Sequence, residues 1–324
     1  MSISKYSSTF TKFQSSIALF VLCLALSLLS DKFLTVDNGW NVLRQISVNI
    51  CISVGMTLIV LTSGIDLSVG SVLALSGAVA AGLLKFGLEF PDNNLFIGFT
   101  LLGTIVTGLL TGSILGYFNG FVITRFKVPP FVATLAMLTI ARGLTMLWTK
   151  GYPISSLGSN FGFIGTGWFM GIPVLVWIAT AIIAASLIIT NKTSLGRYIY
   201  AIGGNENASR LSGININKVK IIVYTIAGAL AAVGGIMVTS RLDSAQPNAG
   251  MSYELDSIAA VVIGGTSLSG GRGTIMGTVL GAIIIGVLNN GLVLLDVSPF
   301  WQQVVKGGVI LLAVVIDKAN SKAE

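Results

Sequence analysis

Long apolar runs separated by short polar stretches dominate this chain. A bilayer core is crossed by about 20 apolar residues in one helix. Runs of that order recur at roughly 15–30, 43–62, 67–84, 95–118, 129–148, 171–190, 218–239, 255–270, 274–294 and 299–316. The pattern predicts an all-α polytopic membrane protein with about ten transmembrane helices, a single membrane domain whose spans fill about 15–316. The runs at 67–84 and 255–270 are short and Gly-rich, the mark of a broken or re-entrant segment. The first run follows Lys5 and Lys12 and so resembles a signal peptide. Asp31-Lys32-Phe33 stands where a small-residue cleavage site belongs, so an uncleaved first helix is expected.

The longest strongly polar run, Ser194 to Lys220, is built like a small structure. Gly203-Gly204 predict a tight turn, because glycine takes positive φ without steric cost. Asn205 sits where a helix N-cap belongs, with Glu206 in the positive first turn. Ala208, Leu211 and Ser212 share one side of a short helix, and Gly213 is a natural stop. A second helix start follows at Asn215 or Asn217. One reading is a short amphipathic helix lying parallel to the membrane. The other is a solvated connector with incidental helical propensity.

Charge orients the spans. Ten spans put both termini on one side. With that side cytoplasmic, the inner segments hold twelve of the nineteen Lys and Arg residues (Lys5, Lys12, Arg125, Lys127, Lys192, Arg197, Arg210, Lys218, Lys220, Arg272, Lys318, Lys322) against four of the twelve acids (Asp66, Glu206, Asp317, Glu324). The other seven bases, including Lys306, accompany eight acids, including Asp92. A Lys/Arg excess marks the cytoplasmic face, so the segment 191–218 is the largest cytoplasmic loop. The same distribution accounts for the formal charge of +7 without nucleic acid, since the bases follow the membrane rather than cluster on one face.

Two stretches look alike. Leu115-Gly116-Tyr117-Phe118-Asn119-Gly120-Phe121-Val122 leads to Val128-Pro129-Pro130-Phe131, and Gly286-Val287-Leu288-Asn289-Asn290-Gly291-Leu292-Val293 leads to Val297-Ser298-Pro299-Phe300. The first turns on the cytoplasmic side and the second outside, which points to a five-plus-five inverted repeat, a common transporter construction.

Composition narrows the chemistry. Charged residues make up 10% of the chain and mean hydropathy is +0.89, whereas a soluble domain carries about 25% charged residues. The absence of histidine removes histidine bases, Ser-His triads and histidine metal ligands; no catalytic or metal-binding set is expected. Cys23 and Cys51 lie in separate apolar runs and read as packing residues. Leu268-Ser269-Gly270-Gly271 looks like the signature loop of an ATP-binding cassette, but no Gly-Lys dipeptide supplies a phosphate-binding lysine, so its glycines read as a turn between spans. Asp66 is the acid nearest the membrane interior, a functional candidate by position; Asp66 or Ser68 equally suits the cap of the helix that follows. Asn49, Thr57, Asn119, Thr134, Asn289, Asn290 and Gln302 place uncharged amides and hydroxyls in or at the ends of spans. Such groups suit a neutral, hydroxyl-rich solute or serve as interhelical glue. Outside, Gly151–Ile172 is rich in aromatics including Trp168, and a second loop spans Arg241 to Asp256; each is a docking ledge or a membrane anchor.

Three strings together resemble one family. They are Gly55-Met56-Thr57 running into Leu61-Thr62-Ser63-Gly64-Ile65-Asp66-Leu67-Ser68-Val69-Gly70-Ser71; Leu195-Gly196-Arg197-Tyr198-Ile199-Tyr200-Ala201-Ile202-Gly203-Gly204-Asn205-Glu206; and Ser244-Ala245-Gln246-Pro247 with Glu254 through Leu268. They are similar to the permease subunits of bacterial ABC importers for ribose, xylose, galactose and related sugars. The resemblance implies a homodimeric permease in the bacterial inner membrane, importing ribose or a related pentose or hexose. It implies two cytoplasmic ATPase cassettes, usually in one chain, that use ATP and Mg, while this chain binds no cofactor, and a periplasmic sugar-binding protein. Under it, Gly196, Arg197, Gly203, Gly204, Asn205, Glu206, Ala208, Arg210, Leu211 and Gly213 form the ATPase-coupling element. Asn49, Thr57, Asp66, Asn119, Thr134, Asn289, Asn290 and Gln302 are candidates for the translocation path, and Trp168, Arg241, Asp243, Glu254 and Asp256 for binding-protein docking. An ion-coupled secondary transporter of a small polar solute is the alternative, and would need a charged intramembrane relay. A membrane enzyme would need an acid–base set.

Overall fold

The computed structural model describes residues 3–90 and 95–322, with the surroundings of the side chains at 15–89, 96–312, 314 and 315. Asp92 and Glu324 lie outside the described residues, as do the side chains of Lys5, Lys12, Asp317, Lys318 and Lys322. The described residues form helices α1 (Ile3–Leu29), α2 (Val36–Leu61), α3 (Val69–Phe86), α4 (Leu101–Arg125), α5 (Pro130–Thr149), α6 (Ser159–Thr166), α7 (Val174–Lys192), α8 (Ser194–Gly204), α9 (Glu206–Leu211), α10 (Ile216–Arg241), α11 (Tyr253–Ile263), α12 (Ile275–Leu294) and α13 (Pro299–Lys322). Each of the ten apolar runs overlaps a helix. Seven of these helices, α2, α3, α4, α5, α7, α10 and α12, are long and apolar enough to cross a bilayer.

Two boundaries differ instructively from the sequence pattern. The run at 67–84 is one unbroken 18-residue helix, α3. The run at 255–270 is not one crossing helix. Its 11 residues of α11 extend only about 16 Å at 1.5 Å per residue, and Gly265, Gly270 and Gly271 take φ of +80°, +88° and +71° in the loop beyond. The segment before α11 folds back into the bundle. Arg142 of α5 donates to the carbonyls of Pro247 (2.7 Å) and Ala249 (2.9 Å), and Gly250 lies against Gly70 at the start of α3. Irregular backbone is tolerated inside a membrane bundle where protein satisfies it in this way.

The segments assigned by charge to the outer side also carry short antiparallel ribbons that an all-helical reading misses: β1 (Leu88–Phe90) with β2 (Leu95–Ile97), β3 (Ile154–Ser155) with β6 (Ser244–Ala245), and β4 (Trp168–Phe169) with β5 (Ile172–Pro173). The run at 95–118 therefore opens with β2, and its helix starts at Leu101, where Thr100 caps Gly103 N–H at 3.2 Å.

Helix α2 is apolar all round and sits at the centre, with every residue from Ile46 to Leu61 buried, as such a pattern demands. Helices α4 and α10 pack through small residues. Gly108, Gly112, Gly116 and Gly120 recur at every fourth position of α4, and the last three meet the backbone of α10 at Gly228, Tyr224 and Ile221. Close backbone approach of this kind holds helices together where lipid offers no hydrophobic drive. The two similar stretches share a local form: the tail of α4 leads to a Pro-started α5, and the tail of α12 to a Pro-started α13.

Segments assigned by charge to one side meet in space. Ser63 Oγ donates to Ser269 O (2.8 Å), Gly271 N to Leu61 O (3.0 Å) and Tyr200 Oη to Gly273 O (2.9 Å). Segments assigned to the other side meet through the β3–β6 ribbon and through Gly165 N–H on Ser240 Oγ (2.7 Å).

Candidate functional site

Two places gather the residues singled out by sequence. The first is the polar segment between α7 and α10. Thr193 makes the elbow between α7 and α8, its hydroxyl donating to Ile189 O (2.6 Å) and accepting from Gly196 N (3.3 Å). Gly196 is buried there, packed on the carbonyls of Ile189 and Thr190. Helix α8 then buries Ile199 and Ile202 in the core, exposed 0% and 2%. The expected turn at Gly203-Gly204 is absent, because both glycines belong to the last turn of α8. What requires glycine at 203 is contact. A Cβ there would run into Leu61 O at the end of α2 and Gly271 N in the loop after α11. Gly204 has nothing within 4 Å of its missing Cβ.

Beyond this node the local readings hold. Asn205 caps α9, its Oδ1 accepting from Ala208 N (2.9 Å), and Asn215 caps α10 on Lys218 N (3.0 Å). Gly213 takes φ +83° after the helix ends. Glu206 binds Lys220 (2.7 Å) and Arg210 (3.3 Å), tying α9 back to α10. Such partly exposed pairs are worth about 0–1 kcal/mol each, so they orient α9 rather than hold it. Helix α9 turns its apolar groups outward: Ala208 is exposed and Leu211 is 91% exposed. Arg197 and Arg210 are exposed as well.

The second place is a polar recess among α2, α11, α12 and α13. A cavity of about 90 Å³ is lined by Gln45, Asn49, Tyr253, Asp256, Asn289, Val293, Gln302 and Lys306. Lys306 Nζ lies 3.0 Å from Asp256 Oδ2, and Asn289 Nδ2 donates weakly to the same oxygen at 3.5 Å. Asn289 Oδ1 is buried without a hydrogen-bond partner. Gln302 Nε2 donates to Val297 O at 2.8 Å.

The structure divides the path candidates. Asn49, Asn289 and Gln302 converge on the recess. The others join helices or turns. The hydroxyls of Thr57 and Thr278 lie 2.6 Å apart, linking α2 to α12. Asn290 and Asn38 exchange amide hydrogen bonds at 2.9 and 3.1 Å. Asn119 Nδ2 donates to Ser68 Oγ (3.0 Å), and Thr134 Oγ1 accepts from Leu67 N (3.2 Å). Neither Asp66 nor Ser68 caps α3 with its side chain. Asp66 Oδ1 instead accepts from Ser68 N (2.8 Å) and Ser68 Oγ (2.6 Å), closing the turn before α3. Burial pushes the Asp66 carboxyl above its ordinary range, and the two Ser68 hydrogen bonds oppose the rise.

The docking candidates divide too. Arg241 and Asp243 line a groove of about 350 Å³ with Ser156, Ser159 and Thr166. Trp168 meets the edge of Trp40 (5.2 Å between centroids) and carries the Arg44 guanidinium over its ring at 4.9 Å, so it braces the N-terminal part of α2. Glu254 is half-buried. Asp256 is not on the outer rim at all, being 4% exposed within the recess. Gln45, Tyr253 and Lys306 are the polar recess residues that sequence reasoning missed. The signal for Lys306 was present: a lysine four residues after Gln302 in an apolar run is a functional candidate by position.

Comparison with known proteins extends this picture. Residues 39–314 match the family model described as "Branched-chain amino acid transport system / permease component". The chain is 51% identical over 308 residues to the ribose import permease protein of Haemophilus influenzae, covering 94% of this chain and 92% of the relative. It is 50% identical over 308 residues to the ribose import permease protein of Escherichia coli (strain K12) and 49% over 307 to that of Bacillus subtilis (strain 168), with the same shares covered. No solved structure matches.

Proposed function

The chain belongs to the branched-chain amino acid transport system / permease component family, and from that premise we propose that it is the membrane-spanning permease of an ABC importer for ribose. The observation that carries the reading is identity of about half to ribose import permeases across nine-tenths of both chains. The protein is a multi-pass membrane protein of the bacterial inner membrane, with ten crossings in a five-plus-five inverted repeat, the eighth completed by the irregular segment before α11 together with that short helix, and both termini in the cytoplasm. It pairs with a second copy of itself, with a cytoplasmic ATP-binding subunit that hydrolyses ATP with Mg, and with a periplasmic binding protein.

The arrangement supports a mechanism. Helix α9 offers Ala208 and Leu211 to a groove of the ATPase, with Arg197 and Arg210 placed for bidentate pairing to its acids. Displacement of α9 passes to α8, whose Gly203 abuts both the end of α2 and the loop between α11 and α12. Helix α2, and the helices α11 and α12 that this loop joins, supply walls of the polar recess farther along their length. A rigid lever joined to a packed core switches between discrete states rather than bending. ATP binding on the partner supplies the differential contacts that such a switch requires. The outer groove at Arg241 and Asp243, with Trp168 and Glu254, receives the binding protein.

The direct test is complementation. In a bacterium lacking its own ribose permease but retaining the matching ATPase and binding protein, expression of this chain restores growth on ribose as sole carbon source. Normal membrane insertion without growth would defeat the reading.

A further inference from the structure

The recess among α2, α11, α12 and α13 holds more hydrogen-bonding capacity than the protein uses. Among the described residues the side chains of Gln45 and Asn49 make no hydrogen bond, Asn289 Oδ1 is buried and unpartnered, and Gln302 uses only its Nε2, on Val297 O. Both recorded contacts to the Asp256 carboxylate go to Oδ2. Buried polar atoms are nearly always paired, and an orphaned acceptor costs about 1–3 kcal/mol. Interhelical glue does not account for these groups. The nearby Asn38–Asn290 pair shows what glue looks like here, with both amides satisfied by each other.

We propose that this recess is a binding subsite for one hydroxyl-bearing edge of a neutral polyhydroxylated solute. The volume of about 90 Å³ corresponds to about three waters at roughly 30 Å³ each, which is room for the adjacent hydroxyls of a sugar and not for the whole molecule. A vicinal diol presents two donors and two acceptors. Its two O–H groups find acceptors among three, the amide oxygens of Asn289 and Gln302 and the spare Asp256 oxygen, while the amide NH₂ groups of Gln45 and Asn49 donate to its oxygens. The site selects against ions, because Lys306 and Asp256 already neutralise each other at 3.0 Å, and a charged solute would leave one charge unpaired in a low-dielectric setting. Lys306 is a positioning residue: its pairing with Asp256 Oδ2 fixes the oxygen on which Asn289 Nδ2 rests, and so aims both Asn289 Oδ1 and the free Asp256 oxygen.

The inference rests on the reading of the chain as a sugar permease, and the test separates the two. The complete importer is reconstituted in liposomes, and ribose uptake is measured at saturating sugar-loaded binding protein and internal ATP for wild type, Gln45→Leu and Asn49→Leu. Because neither side chain bonds to the protein, a purely structural or water-holding role predicts wild-type uptake for both. The subsite predicts that each lowers the maximal rate roughly fivefold, the effect of losing about one hydrogen bond. In a background with Cys23 and Cys51 replaced by serine, Asn49→Cys is then labelled with a small polar thiol reagent. Ribose slows the labelling and betaine at equal osmolarity does not. Wild-type uptake in both leucine variants, or equal labelling with ribose and betaine, overturns the subsite while leaving the permease reading intact. Absence of ribose uptake by wild type overturns both.

Discussion

Gly203 and Gly204 are adjacent, both helical, and should respond oppositely to the same change. A methyl at 203 has no room: it meets Leu61 O and Gly271 N, both backbone, closer than real Cβ atoms approach anything, with Gly271 Cα at 3.0 Å. Backbone cannot rotate aside as a side chain can. Overpacking of this kind costs about 1–3 kcal/mol, and if α8 shifts so that the 3.0 Å bond from Gly271 N to Leu61 O breaks, about 1 kcal/mol more is lost. Helix propensity returns up to about 1 kcal/mol for Gly→Ala, leaving a net loss of about 1–3 kcal/mol. At 204 nothing lies within 4 Å, so Gly204→Ala keeps only the propensity gain of up to about 1 kcal/mol. The assays are thermal unfolding of the detergent-purified chain and ATP hydrolysis by the assembled complex with sugar-loaded binding protein. Gly203→Ala unfolds at lower temperature than wild type and loses sugar stimulation, whereas Gly204→Ala matches or exceeds wild-type stability and keeps it. If Gly203→Ala unfolds and couples like wild type, α8 does not abut α2 as described and the lever between α9 and the bundle is refuted.

Other outcomes follow from the same geometry. Ala208→Trp and Leu211→Asp, both at exposed positions of α9, change folding stability by no more than about 0.5 kcal/mol and accumulate normally in the membrane, but lose copurification of the ATPase; retained copurification by both would leave α9 a connector. Asp66→Asn keeps an acceptor for Ser68 and behaves like wild type, whereas Asp66→Leu strands the buried Ser68 N–H and lowers stability by about 1–3 kcal/mol, read as unfolding temperature; equal unfolding of the two would mean that the Asp66–Ser68 turn carries no weight. Reporter fusions at Gly158 and Asn207 score outside and inside, and equal labelling of both from the periplasm would refute the assignment.

Local chemistry was legible in the sequence and long-range partnership was not. Seven crossing helices could be read because lipid demands unbroken apolar length, whereas the run at 255–270 reads as a span because nothing local shows that its helix ends at Ile263. The caps at Asn205 and Asn215 and the stop at Gly213 could be read because a cap involves residues three positions apart. Gly203 was misread because glycine serves either positive φ or close approach, and here the choice is made by Leu61 and Gly271, far away in sequence. The polar residues show the same limit. Asn289 and Asn290 are neighbours, yet one faces an open recess and the other pairs with Asn38. A step of about 100° between successive helical residues sends them to different neighbours, and nothing local says which is which. Asp256 was assigned to an outer surface because it follows a polar loop; the return of that loop between α3 and α5, held by Arg142, carries it inside.

The central claim is that this chain moves ribose at the expense of ATP on a partner, and initial uptake rates in liposomes test it most directly. The purified chain is reconstituted with its ATPase, and sugar-loaded binding protein is added outside. With ATP inside and all ion gradients collapsed by ionophores, labelled ribose enters, and omission of either ATP or binding protein stops it. Uptake that persists without ATP under an imposed proton or sodium gradient, and vanishes when that gradient is collapsed, would contradict the account and make the protein an ion-coupled transporter.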